Sequence, residues 1–260
     1  MRIAHLSDLH VFASVKETRL VRDDVVDRVR RLVGDVQAFR PGFDAVLITG
    51  DVADGGSAED YALVRRLLAP LAVPILVVPG NHDRRETMRE AFADLVPFEE
   101  GPHLQFCTSL GALRIVGLDS QVPGKVEGRL CPERLAWLGR VLARPHDGWT
   151  ILMLHHPPFP TGMGVIDEHI LIEGAAGLGA ILAAQPRPVS LLCGHVHRPI
   201  QTLWNGAFAA TAGSPAFQFE LVFGLPEDPP TSDEAFAYHV HAIDPPGRMA
   251  VHPRLVDLQG

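Results

Sequence analysis

Cysteine is scarce in this 260-residue chain. Cys107, Cys131 and Cys193 show no C-x-x-C spacing and cannot all pair, which excludes a disulfide scaffold and a thiolate zinc finger. They read as small buried apolar residues in a reducing compartment. No apolar run is long enough to span a membrane. Positive charge is in deficit: 23 Lys and Arg stand against 31 Asp and Glu, a net charge of −8. That balance argues against stable association with nucleic acid or an anionic membrane. Internal repeats are absent, and low complexity is confined to a proline-rich acidic stretch over 225–233. With 47% hydrophobic and 21% charged residues, the chain has a globular composition and the length to bury a sizeable core.

Within that frame, five strand-like apolar runs each end in residues that bind metals. They end in Asp8-Leu9-His10, Gly50-Asp51, Gly80-Asn81-His82-Asp83, His155-His156 and Gly194-His195-Val196-His197. In the last block, residues i and i+2 at a strand end point the same way, and Gly194 is expected to give the backbone freedom there. The first block begins so early that a cleaved leader would remove it, so the expected location is the cytoplasm.

Apolar periodicity orders the rest. Buried strands are expected at 2–7, 44–49 and 74–78. Helices are expected at 18–39, after a Ser57-x-x-Asp60 start box, and at 85–95. This alternation predicts a layered α/β protein whose ligands collect at the carboxyl ends of parallel strands. Further strands are expected at 104–107 and 113–118, as an antiparallel pair, and at 149–154 and 189–193. Helices follow Pro132 and cover 177–184. Asn205-Gly206 marks a tight hairpin turn. Residues 217–223 read as a strand, and a second hairpin is expected around Asp244-Pro245-Pro246-Gly247. We divide the chain into a main domain, 1–224, and a 225–260 extension whose hairpin could serve self-association into a homodimer or larger.

Asp, Asn and His together suit divalent Mn, Fe, Zn or Co. Asp8, His10, Asp51, Asn81, His155, His195 and His197 are too many ligands for one ion and enough for two, with Asp51 the natural bridge. His239-Val240-His241 repeats the two-histidine spacing without the glycine and reads as structural or surface. His5, His103, His146, His169 and His252 carry no assigned role.

In this order the five blocks, with Val52, Ala53 and Asp54 completing the second, resemble the calcineurin-like metallophosphoesterase superfamily. They are most similar to its bacterial class III cyclic nucleotide phosphodiesterases and glycerophosphodiesterases. The resemblance covers roughly residues 1–215. It implies a four-layer α/β/β/α sandwich, here with a C-terminal β-hairpin extension. It implies one ion held by Asp8, His10, Asp51 and His197, and another by Asp51, Asn81, His155 and His195. Iron with manganese is the implied pair, with zinc, cobalt or magnesium as alternatives. It places catalysis on Asp51, Asn81 and His82, where His82 lies near the scissile phosphate. Asn81, His82 and His156 are the implied substrate contacts, and Asp54 and Asp83 orient ligands from behind. Relatives often carry histidine before glutamine where this chain has Phe217-Gln218. The implied activity is hydroxide attack on the phosphorus of a small phosphodiester such as cAMP. Glycerophosphodiesters, phosphomonoesters and nucleic acid are alternative substrates, and a non-catalytic scaffold is the alternative role.

Overall fold

A computed structural model describes residues 1–14, 16–187, 189–224, 229–244 and 248–258. The first sheet contains the parallel strands Arg2–Leu6, Ala45–Ile48 and Ile75–Val77 side by side. The second runs in the order Ile200–Trp204, Ala207–Thr211, Val189–Cys193, Thr150–Met153, Leu113–Gly117, Phe106–Leu110. Its four middle strands are parallel and its outer two are antiparallel.

Side-chain alternation shows how the layers stack. Along the second sheet, Ile151, Met153 and Leu192 join the core shared with the first sheet. Their neighbours Leu152, Leu154, Leu191 and Cys193 pack with Trp137, Leu138 and Leu178 instead. The latter three belong to helices Pro132–Leu142 and Ala175–Ala183. Helices Val25–Ala38, Ala58–Leu68 and Arg85–Phe92 contribute Val29, Leu32, Tyr61, Val64, Met88 and Phe92 to the first core. Helix, sheet, sheet, helix is the expected sandwich. Strands buried on both faces are mainly apolar along their length, with His5, Arg114, Thr150 and Ser190 as exceptions, and the remaining polar side chains collect at their carboxyl ends.

Local signals hold in detail. Ser57 accepts from the Asp60 amide and Asp60 returns the bond to Ser57, a complete capping box. Asn205 and Gly206 both take positive φ, as a two-residue hairpin requires. Three expectations are corrected. The first helix starts at Val25, not near residue 18, because residues 17–22 are tied down elsewhere. The Glu17 and Thr18 amides donate to Asp54 Oδ2, and the Arg22 amide to Ala216 O. The strand expected over 217–223 shrinks to Gln218–Phe219, paired with Thr231–Ser232. That pairing places strand inside the stretch expected as a loop, of which 225–228 lie outside the described residues.

The tail forms the expected hairpin, Phe236–Asp244 with Arg248–Val256, although its turn, 245–247, lies outside the described residues. Its position was not foreseen: Phe236–Asp244 pairs antiparallel with Arg2–Leu6 and extends the first sheet. Tyr238 and Arg254 reach Asp35 of the first helix, which fixes one face of the hairpin. Arg248–Val256 ends the sheet, and Pro253 removes a backbone donor from it, a feature that blunts strand addition at an edge. Among the described residues no helix is long and apolar enough to cross a membrane.

Candidate dinuclear metal centre

Each polar block sits where a buried strand ends and the chain turns sharply. Among the described residues six non-glycine positions have positive φ, and five of them are Asp8, His10, Asp51, His195 and His197. Such conformations cost a few kcal/mol each and cluster where function demands them. The two sheets supply opposite sides of the centre. Asp8, His10, Asp51 and Asn81 follow strands of the first sheet, and His155, His195 and His197 follow strands of the second.

The structure brings all seven together. His10 Nε2 lies 3.2 Å from His197 Nε2 and 3.5 Å from Asp51 Oδ2. His197 Nε2 is 3.2 Å from Asp8 Oδ1. On the other side His155 Nε2 is 3.3 Å from Asp51 Oδ2 and 3.1 Å from Asn81 Oδ1, which also lies 3.1 Å from His195 Nδ1. Asp51 Oδ2 therefore stands between the two groups.

The donor set fits cations. His10 Nδ1 bonds the Asp54 carboxylate at 3.1 Å, and His197 Nδ1 donates to Phe217 O at 3.0 Å. Their Nε2 atoms are then bare lone pairs facing each other, an arrangement a shared cation satisfies. His155 Nδ1 donates to Thr49 O at 2.7 Å, which turns its Nε2 lone pair on the oxygens of Asp51 and Asn81. Hydrogen bonds that fix the tautomer from behind are what metal-binding histidines require.

Within the cluster, neighbouring charges shift one another's protonation. Burial opposes the charged form of His155, but Asp51 outweighs it and raises its pKa to about 9. Burial and the neighbouring His155 push His195 down to about 3. Burial would raise Asp51, yet His155 and His82 hold it well below the usual carboxylate range.

Residues behind the centre set its shape. Asp83 accepts from the amides of Val52, Ala53 and Gly80 and from the Tyr61 hydroxyl. It thereby locks the turn that carries Asp51 to the turn that carries Asn81, acting on backbone and not on ligand side chains. Burial and the charge of Asp51 raise Asp83 to about 6. Asp54 lies against both His10 and His82. Gly80 is a place where no side chain fits, because a Cβ would strike Asp51 Oδ1 and the Asp51 amide. Gly80→Ala is expected to cost ~1–3 kcal/mol by overpacking and to lower ion content; thermal melting and elemental analysis check both.

Two sequence expectations change here. Gly194 is needed for close approach, since a Cβ would meet Ser7 Oγ and Asp8 Oδ2, and it does not appear among the positive-φ glycines. His156, an implied substrate contact, is not among the residues that line the cleft over the centre. It is fully buried, its Nε2 donates to Val126 O at 2.9 Å, and its Nδ1 lies 2.8 Å from Ser120 Oγ. It packs behind His195, with ring centroids 4.6 Å apart.

Sequence reasoning also missed a brace. Arg85 forks onto Asp119, and Gln121 Nε2 donates to the carbonyls of Gly80 and Asp83. The signal was available: Asp119-Ser120 is another polar pair at the end of a buried strand, Leu113–Gly117.

A cleft of about 300 Å³ opens over the centre, with His10, Asp51, Asn81, His82, His195 and His197 on its floor. Leu20, Val165, Ile166, Phe217 and Phe219 make one wall apolar. The Phe217 ring packs at a tilt against the His197 ring, with centroids 4.0 Å apart. A second recess of about 520 Å³ shares Asn81, His82 and Val126 with the first and is lined by Arg84, Arg85 and Lys125. His82 links the two recesses, its Nδ1 donating to Asp54 O at 3.1 Å.

A calcineurin-like phosphoesterase family model matches residues 1–199. A probable glycerophosphodiester phosphodiesterase GpdQ of Arcobacter nitrofigilis is 35% identical over 221 residues, 85% of this chain and 81% of that protein. The 3′,5′-cyclic adenosine monophosphate phosphodiesterase CpdA of Pseudomonas aeruginosa is 35% identical over 196 residues, 75% of this chain and 69% of that protein. In fold, a dimetal phosphatase from Danio rerio superposes with a TM-score of 0.71 at 16% identity, covering 98% of this chain and 96% of that one.

Proposed function

The chain belongs to the calcineurin-like phosphoesterase family, and from that premise we propose that it hydrolyses small phosphodiesters at this centre, a 3′,5′-cyclic nucleotide such as cAMP above all. The observation that carries the reading is the set of bare imidazole nitrogens and carboxylate oxygens converging on both sides of Asp51. In it, Asp8, His10, Asp51 and His197 would hold one divalent ion, and Asp51, Asn81, His155 and His195 the other. We take them as iron with manganese, and the place of action as the cytoplasm. When bound, such ions acidify water and offset the charge of phosphoryl oxygens.

The chain's own residues do the rest. His10, His155 and His197 are held in the ligating tautomer by Asp54, Thr49 O and Phe217 O. The Asn81 amide fixes the floor beside the phosphate. His82, anchored through Nδ1, keeps Nε2 for the cleft and delivers a proton to the departing oxygen.

The substrate choice rests on the wall. Phe217 and Phe219, packed edge to face, offer an apolar wall within reach of the floor, suited to packing a purine and of little use to glycerol. Relatives named for cAMP and for glycerophosphodiesters both match, so the wall is what favours the first. After chelation and reloading with Mn²⁺, bis(p-nitrophenyl) phosphate is expected to turn over faster than the monoester. Monoester preference would make the protein a phosphatase instead. Phe217→Ala is expected to raise the KM for cAMP ~10-fold and leave a glycerophosphodiester within about twofold; equal effects on both would remove the packing role.

A further inference from the structure

Behind the dinuclear centre lies a second cluster of imidazoles, from His5, His239 and His241. The tail strand runs antiparallel to the first strand, with His239 opposite His5 and His241 opposite Ile3. Residues two apart on a strand share a face. Tyr238 points to the first helix, so His239 and His241 point the other way, into the layer between the sheets. All three histidines are fully buried. Their ring centroids form a nearly equilateral triangle with sides of 5.7, 5.9 and 6.0 Å. One nitrogen from each ring can be chosen so that all three lie within 4.8 Å of one another.

The hydrogen bonding is incomplete in a telling way. His5 Nε2 lies 3.0 Å from Thr49 Oγ1, and that bond leaves out the ring's other nitrogen, Nδ1. That atom and both ring nitrogens of His239 and His241 have no hydrogen-bond partner among the described residues. Buried polar atoms left so are costly, and a ligand that satisfies them recovers that cost. Burial lowers the pKa of His239 to about 4 and of His241 to about 3, so the rings are neutral and each offers a lone pair. Three neutral imidazoles with no carboxylate select zinc-like ions over magnesium or manganese.

We propose that His5, His239 and His241 bind a third metal ion, Zn²⁺ or a cation of similar preference, which clamps the tail hairpin to the first strand. The ion takes one lone pair from each ring. Its ligands come together only when the hairpin docks, so binding adds directly to folding stability. Thr49 connects the clamp to the dinuclear centre: its hydroxyl meets His5 and its carbonyl accepts from His155. The clamp does not depend on the phosphodiesterase reading, because none of its ligands belongs to the seven.

Elemental analysis of zinc-loaded protein tests it. The wild-type chain is expected to hold three ions. His239→Leu/His241→Leu, which removes the ligands without leaving buried polar atoms, should hold two and keep diester turnover within about twofold. In a chain carrying Asp51→Ala and Asn81→Ala, one equivalent of Zn²⁺ should still raise the melting temperature by about 4 °C or more. Adding the two leucine substitutions should abolish that rise. Saturation of the wild type at two ions, or a zinc-dependent rise that survives the leucines, would overturn the proposal. The wild-type stoichiometry decides the matter even if the leucine variant does not fold.

Discussion

Asp51→Ala is expected to lower kcat for phosphodiesters at least ~10³-fold and to deplete bound metal together with activity. The size follows from position. Asp51 Oδ2 lies 3.5 Å from His10 Nε2 and 3.3 Å from His155 Nε2, so one oxygen serves both halves of the centre. Asp51 Oδ1 accepts the His82 amide at 2.8 Å, so the same side chain also holds the turn carrying Asn81 and His82. No neighbour can take over both contacts, because Asp8 faces His197 and Asp83 is occupied by backbone amides. Turnover and metal content measured on one preparation check it. Near wild-type turnover with full metal content would remove Asp51 from the centre of the mechanism.

His82→Gln is the second large effect, with kcat for cAMP expected to fall ~10²–10⁴-fold. The loss should depend on the leaving group. A ribose alkoxide must be protonated as it departs, whereas p-nitrophenolate needs little help, so bis(p-nitrophenyl) phosphate should lose much less. Equal losses on both substrates would point to a positioning role. The pH profile supplies a second test. Burial lowers the His82 pKa, but Asp51 and then Asp54 outweigh it and raise it to about 10. A raised pKa keeps the imidazolium form at neutral pH, and activity through a general acid is lost as pH rises through that pKa. Divalent ions held at Asp51 would weaken its pull and bring this basic limb down. Asp54→Asn should bring it down further, by about one unit, and His82→Gln should erase it. A limb that stays in place in His82→Gln belongs to another group.

The donor atoms of the centre were legible because their signals are local. An apolar run followed at once by Asp, Asn or His marks a buried strand and its end, and parallel strands bring such ends to one edge. What lay beside them was harder to read. Valine and leucine spacing over 18–39 suited a helix throughout, yet Asp54 and Ala216 hold residues 17–22 in another path. His156 has the same identity as its neighbour His155 but points away from the cleft, because Ser120 and Val126 occupy its ring nitrogens.

The tail shows where the boundary falls. Alternation in His239-Val240-His241 shows that both histidines share a face, but not whether that face meets water or protein. Only the pairing with Arg2–Leu6 turns them onto His5 and buries all three. The sequence by itself determined the strand and helix alternation, the capping box, the tight turn and the residues that carry ligand chemistry. Each of these depends on neighbours within a few positions. The tertiary structure alone decided that Asp51 stands between His10 and His155, that Gly80 and Gly194 leave room for carboxylates, and that Phe217 walls the cleft. Those outcomes depend on atoms brought together from strands far apart in the chain, and no local period records which distant side chain will fill the space.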